Sequence, residues 1–86
     1  MVSQTVVLNL KEGLDTKCVA QIIHFLQNFS GTVTMTHDGR IANCKSLISL
    51  INLGAEPFTE VEVCVEGSCE ESELADFVNF LENFPN

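Results

Sequence analysis

The chain has 86 residues, 45% of them apolar, with twelve acidic against four basic side chains and a formal net charge of −8. That length fits one small domain, residues 1–86, and the apolar share is too high for a disordered chain. So acidic a surface offers no electrostatic footprint for nucleic acid and no polybasic patch for an anionic membrane. The apolar runs are a few residues long, and the first dozen residues lack the charged start, apolar stretch and small-residue cleavage site of an export signal. The expectation is a cytoplasmic protein.

Val6, Leu8 and Leu10 alternate within residues 3–10 and predict a strand, which Glu12-Gly13 ends. From Thr16 to Phe29 the period becomes helical. Cys18, Val19, Ile22, Ile23, Phe25, Leu26 and Phe29 share one arc, with Lys17, Gln21, His24 and Asn28 opposite and Asp15 placed to cap the N-terminus. Ser30-Gly31 closes that helix, and residues 32–36 alternate as a strand. Asp38-Gly39, within the turn 37–40, predicts a tight hairpin returning through Arg40–Cys44. Ser46 opens a short helix from Leu47 to Leu53 that Gly54 closes and Pro57 prevents from continuing. Val61, Val63 and Val65 alternate in a fourth strand, residues 60–66. Ser68 to Glu71 has capping-box spacing, and Leu74, Phe77, Val78, Leu81 and Phe84 give the last helix its apolar face.

The order is β-α-β-β-α-β-α. It predicts an α+β open-faced β-sandwich, a four-stranded, mainly antiparallel sheet covered by three helices on one face.

The four cysteines (Cys18, Cys44, Cys64, Cys69) have neither an export signal nor zinc-ligand spacing, so they read as free thiols behaving as small apolar groups. No phosphate-cradling glycine loop, nucleophile elbow or pair of acids in an apolar setting appears, which predicts no enzyme, no metal and no cofactor. Chemistry-bearing residues gather instead at two helix starts. Asp15 and Lys17 stand at the first, with Cys18, where a low-pKa thiolate and a buried structural thiol are the two readings. Lys45, Ser46, Leu47, Ile48 and Ile51 stand at the second.

The junction Gly13 to Ala20 (GLDTKCVA), the Lys45-Ser46-Leu47 segment followed by Leu50 and Leu53-Gly54, and the acidic last helix together resemble HPr. HPr is the histidine phosphocarrier of the bacterial sugar phosphotransferase system, and the resemblance runs along essentially the whole chain. It implies the same β-α-β-β-α-β-α order. It also implies that the phosphate-accepting histidine is replaced by Asp15, the assisting arginine by Lys17 and the following proline by Cys18, a degenerate phosphocarrier site. His24 and His37 fall elsewhere, mid-helix and in the hairpin turn.

The enzyme I docking face, basic in HPr, is here Lys17, Gln21, His24, Gln27 and Ser49, which implies weak or no binding to enzyme I. Ser46 aligns with the serine that an HPr kinase/phosphorylase modifies in some bacteria, the product serving as corepressor of a catabolite-control transcription factor. The resemblance therefore implies a regulatory adaptor in carbon-catabolite control whose partners are proteins. Ser46 is then the phosphorylation site, and Lys17, Lys45, Leu47, Ile48 and Ile51 form the binding surface. The alternative is a phosphocarrier relaying phosphate through Asp15; a third reading is an orphan of the fold. Within the residues themselves, Ser46 reads equally as an N-cap, and Leu47, Leu50 and Ile51 as core with only Ile48 exposed.

Overall fold

The computed structural model describes residues 1–84. Strand β1 (Val2–Val7) is followed by helix α1 (Thr16–Leu26), strands β2 (Thr32–His37) and β3 (Arg40–Asn43), helix α2 (Leu47–Leu53), strand β4 (Glu60–Glu66) and helix α3 (Glu70–Glu82). The sheet order is β1-β4-β2-β3 and all three pairings are antiparallel, as expected of the open-faced sandwich. Val6, Val33, Met35, Ala42, Val61, Val63 and Val65 point into the core with the apolar faces of the helices. The opposite sheet face exposes Glu60, Glu62 and Glu66 along β4. That alternation follows from the period-2 geometry of a strand.

The hairpin is as predicted. Asp38 and Gly39 both have positive φ, 52° and 79°, the mirror-image turn whose twist matches antiparallel strands. His37 pairs with Arg40 as the last residue of β2 and so lies outside the turn.

Several boundaries differ from the sequence reading. Strand β1 stops at Val7, although Leu8 and Leu10 are fully buried. The backbone beyond it meets the 58–59 loop through Leu8 N–H to Thr59 O (2.8 Å) and Phe58 N–H to Leu8 O (3.0 Å). Strand β3 ends at Asn43, yet Cys44 N–H still donates to Val33 O at 2.9 Å. Helix α1 ends at Leu26 because its last turn tightens: Gln27 N–H donates to His24 O and Phe29 N–H to Leu26 O, three-residue bonds typical of helix ends. The capping box of α3 does not form. Cys69, one residue beyond the expected Ser68, is its N-cap and makes no side-chain bond; the neighbouring Glu70 carboxylate accepts from Gly67 N–H (3.2 Å) and the Met1 amine (3.1 Å).

Among the described residues no helix is long and apolar enough to cross a membrane, and all four cysteines are free.

Candidate functional site

The α1 start is built by Gly13, whose φ of +68° turns the chain under the 55–57 loop so that Leu14 N–H reaches Ala55 O at 3.2 Å. Asp15 then takes extended angles (φ −84°, ψ 172°), and its Oδ1 accepts from Cys18 N–H at 2.8 Å. This is the N-cap geometry in which a carboxylate satisfies an otherwise free helix amide. That hydrogen bond from Cys18, aided by Lys17 nearby, holds the Asp15 carboxyl below its ordinary range. Burial, reinforced by Asp15, pushes the Cys18 thiol up to about 11. Cys18 is a structural thiol; the thiolate reading is not supported. Asp15, Lys17, Gln21 and Phe84 are among the residues lining an open cavity of about 240 Å³. Among the described residues no group of three His, Cys, Asp or Glu side chains is arranged to hold a metal ion.

At the second helix start, Ser46 is the N-cap of α2 and its Oγ accepts from Ser49 N–H at 3.3 Å. Asn43 organises the approach: its Oδ1 accepts from Lys45 N–H and its own N–H donates to Ser49 Oγ, both at 2.9 Å. Leu50 and Leu53 are buried. Leu47, Ile48 and Ile51 are 43%, 70% and 39% exposed, which decides between the two readings of this helix. At 100° per residue the three lie within one 100° arc, an uncharged apolar strip beginning beside the Ser46 hydroxyl.

Lys45 departs from expectation. Its ammonium donates to Phe29 O (2.7 Å) and Gly31 O (2.9 Å), just beyond the C-terminal end of α1, where a cation complements the helix dipole. It is next to Ser46 in sequence, but its charge is engaged elsewhere.

The same 29–31 turn is held from the other side by Glu73 of α3. Its carboxylate accepts from Ser30 N–H (2.8 Å), Gly31 N–H (3.0 Å) and Ser30 Oγ (3.2 Å), and the Ser30 amide foremost keeps it below the usual carboxylate range. Sequence reading missed Glu73, because its partners lie 42 and 43 residues away. Of the remaining expected docking residues, Lys17, His24 and Gln27 are exposed, while Gln21 and Ser49 are half-buried.

These carboxylates make stability pH-dependent. Asp15, Glu70 and Glu73 all have folded pKa values below their ordinary ones. The stability they add is therefore complete above the ordinary range, about pH 4–5, and is lost as pH falls through it towards the folded values. Thermal melts between pH 7 and 3 should show the midpoint falling over that window. Asp15→Ala should melt lower than the parent at pH 7 and Asp15→Asn should lie between them, because asparagine still caps. Equal losses would mean that charge, rather than capping, is what Asp15 supplies.

Comparison with known proteins agrees with this architecture. The family model described as the PTS HPr component phosphorylation site matches residues 2–83. The HPr-like protein Crh of Bacillus subtilis is 29% identical over 82 residues, covering 95% of this chain and 96% of its own. Phosphocarrier protein HPr of Xylella fastidiosa is 24% identical over 83 residues, covering 96% and 93%. Among solved structures, HPr-C-His from Thermoanaerobacter tengcongensis superposes with a TM-score of 0.88 at 26% identity, over 95% of this chain and 92% of that one.

Proposed function

The chain belongs to the HPr family, and on that footing we propose that it is a regulatory adaptor without phosphocarrier activity, switched by phosphorylation of Ser46. HPr-family proteins are phosphocarriers or regulators rather than enzymes. The observation that carries the regulatory reading is the strip formed by Leu47, Ile48 and Ile51, exposed and adjoining a serine hydroxyl at a helix start. An uncharged apolar surface on a chain of charge −8 is suited to a protein partner. Phosphate on Ser46 would add roughly two negative charges beside that surface. Lys45 is already bonded to Phe29 and Gly31, so the partner supplies the compensating cations.

Asp15 supports the loss of relay. A phosphoryl acceptor needs a free nucleophilic atom and, for a carboxylate, a metal ion to offset charge. Here Oδ1 caps α1, and no metal-binding cluster occurs among the described residues. Lys17 remains exposed at the rim and belongs to the proposed docking surface, together with Leu47, Ile48 and Ile51.

Incubation with ATP and an HPr kinase/phosphorylase, followed by mass spectrometry, tests the proposal. One phosphate, about 80 Da, is expected on the parent and on Asp15→Ala, and none on Ser46→Ala. Binding of the phosphorylated chain to a catabolite-control transcription factor should weaken with salt, and Ile48→Ser should weaken it further. An unmodified Ser46, with an authentic HPr labelled in parallel, would overturn the regulated-adaptor reading. So would transfer of phosphate from enzyme I and phosphoenolpyruvate to Asp15.

A further inference from the structure

We infer that the groove between α1 and α3 is a second docking surface, one that receives a basic segment of a partner protein through an arginine side chain. Phe25 of α1 and Phe80 of α3 stack with ring centroids 4.1 Å apart and planes within 11°. Both rings are only partly buried. The stack forms a ridge with an open concavity on each side, and both rings line both concavities. Their volumes are about 330 and 420 Å³, within the range of small-ligand clefts.

The two sides differ in chemistry. One adds Ala20, Gln21 and His24 to the rings; the other adds Asp76, Asn79 and Asn83. Among the described residues Asp76 has no ion pair, and α3 carries five acids and no lysine or arginine. An acidic partner is repelled by that field, and a second copy of this chain would bring another −8 to it. A guanidinium meets every requirement of the site. It is planar and stacks on aromatic rings, and its donors match the carboxylate of Asp76, beside which Asn83 Nδ2 already donates to Asn79 Oδ1 at 3.0 Å. A helical segment with an apolar side chain and an arginine four residues apart would straddle the ridge, leucine in the Ala20 side and arginine in the Asp76 side. No residue of the Leu47–Ile51 strip lines either concavity.

The test is an amide NMR titration of the full chain with a capped alanine-based helical peptide bearing leucine and arginine four residues apart. Shifts are expected at Phe25 and from Asp76 to Asn83. Asp76→Asn should weaken binding about tenfold, and replacing the peptide's arginine by lysine about threefold or more. Glu62→Gln, on the open sheet face, should leave it unchanged. Asp76 is exposed, so its variant reports on binding without endangering the fold. Equal weakening by Glu62→Gln, equal affinity for the lysine peptide, or shifts confined to α2 would each overturn the inference.

Discussion

Phe77→Ala is expected to lower the free energy of unfolding by about 3–5 kcal/mol, the usual cost of removing a fully buried aromatic ring. Phe77 is 0% exposed and is the largest fully buried side chain. Its ring lies 6.4 Å from Phe25, stacked, and 6.4 Å from Phe29, edge-on, with Phe80 at 6.5 Å. It thus joins α3 to α1. A domain of this size is stable by about 5–15 kcal/mol, so one substitution removes a large part of the margin. Urea denaturation should show the midpoint falling with an unchanged slope. Phe77→Leu, which keeps most of the volume, should lose far less. A loss below about 1 kcal/mol for the alanine variant would mean that the aromatic cluster does not anchor α3.

What the sequence discloses and what it withholds divide along sequence separation. Valines at 61, 63 and 65 mark β4, Asp38-Gly39 the hairpin, and Ser46 and Gly54 the two ends of α2; each signal acts through neighbours within a few residues. The end of α1 was misplaced by three residues. Phe29 continues the apolar period, and only the tightened bonds of the last turn reveal the stop. The box at Ser68 fails for a different reason. The helix has its N-cap one residue later, at Cys69, and the turn before it is fixed by Glu70, which holds Gly67 N–H and the amine of Met1, 69 residues away, a contact no local pattern contains. Lys45 is the instructive case for the site. Sequence adjacency places a cation beside Ser46, whereas contacts across 14 and 16 residues take that cation to the end of α1. The exposed strip on α2 was legible as an excess of apolar side chains on a short helix, but which of them stay outside depended on how α2 sits against β3.

Gly13→Ala should destabilise the chain by about 2–5 kcal/mol, from two separate costs. A left-handed backbone costs an alanine about 1–2 kcal/mol, and Gly13 has φ +68°. A methyl group there would also lie 2.9 Å from the carbonyl oxygen of Ala55, closer than real side chains come, and a tight 3.2 Å from Cδ of Pro57, and crowding of this kind costs about 1–3 kcal/mol. Gly54 separates the terms. Its φ is +65°, yet a methyl there meets nothing nearer than the Asn52 carbonyl oxygen at 3.9 Å, so Gly54→Ala should show the backbone cost alone. The difference between the two variants in urea denaturation then measures how firmly the 55–57 loop is pressed onto the start of α1. Relief of the clash would break the Leu14 N–H bond to Ala55 O and move the Asp15 cap with it. Ser46 lies at the far end of α2 from Gly54, where Lys45 ties the junction to the C-terminal end of α1. In Gly13→Ala kept well below its melting temperature, amide shifts should therefore change from Leu14 to Val19 and stay fixed from Asn43 to Leu50. If the variant matched Gly54→Ala in stability, the loop would be yielding freely and the α1 start would not be a rigid platform.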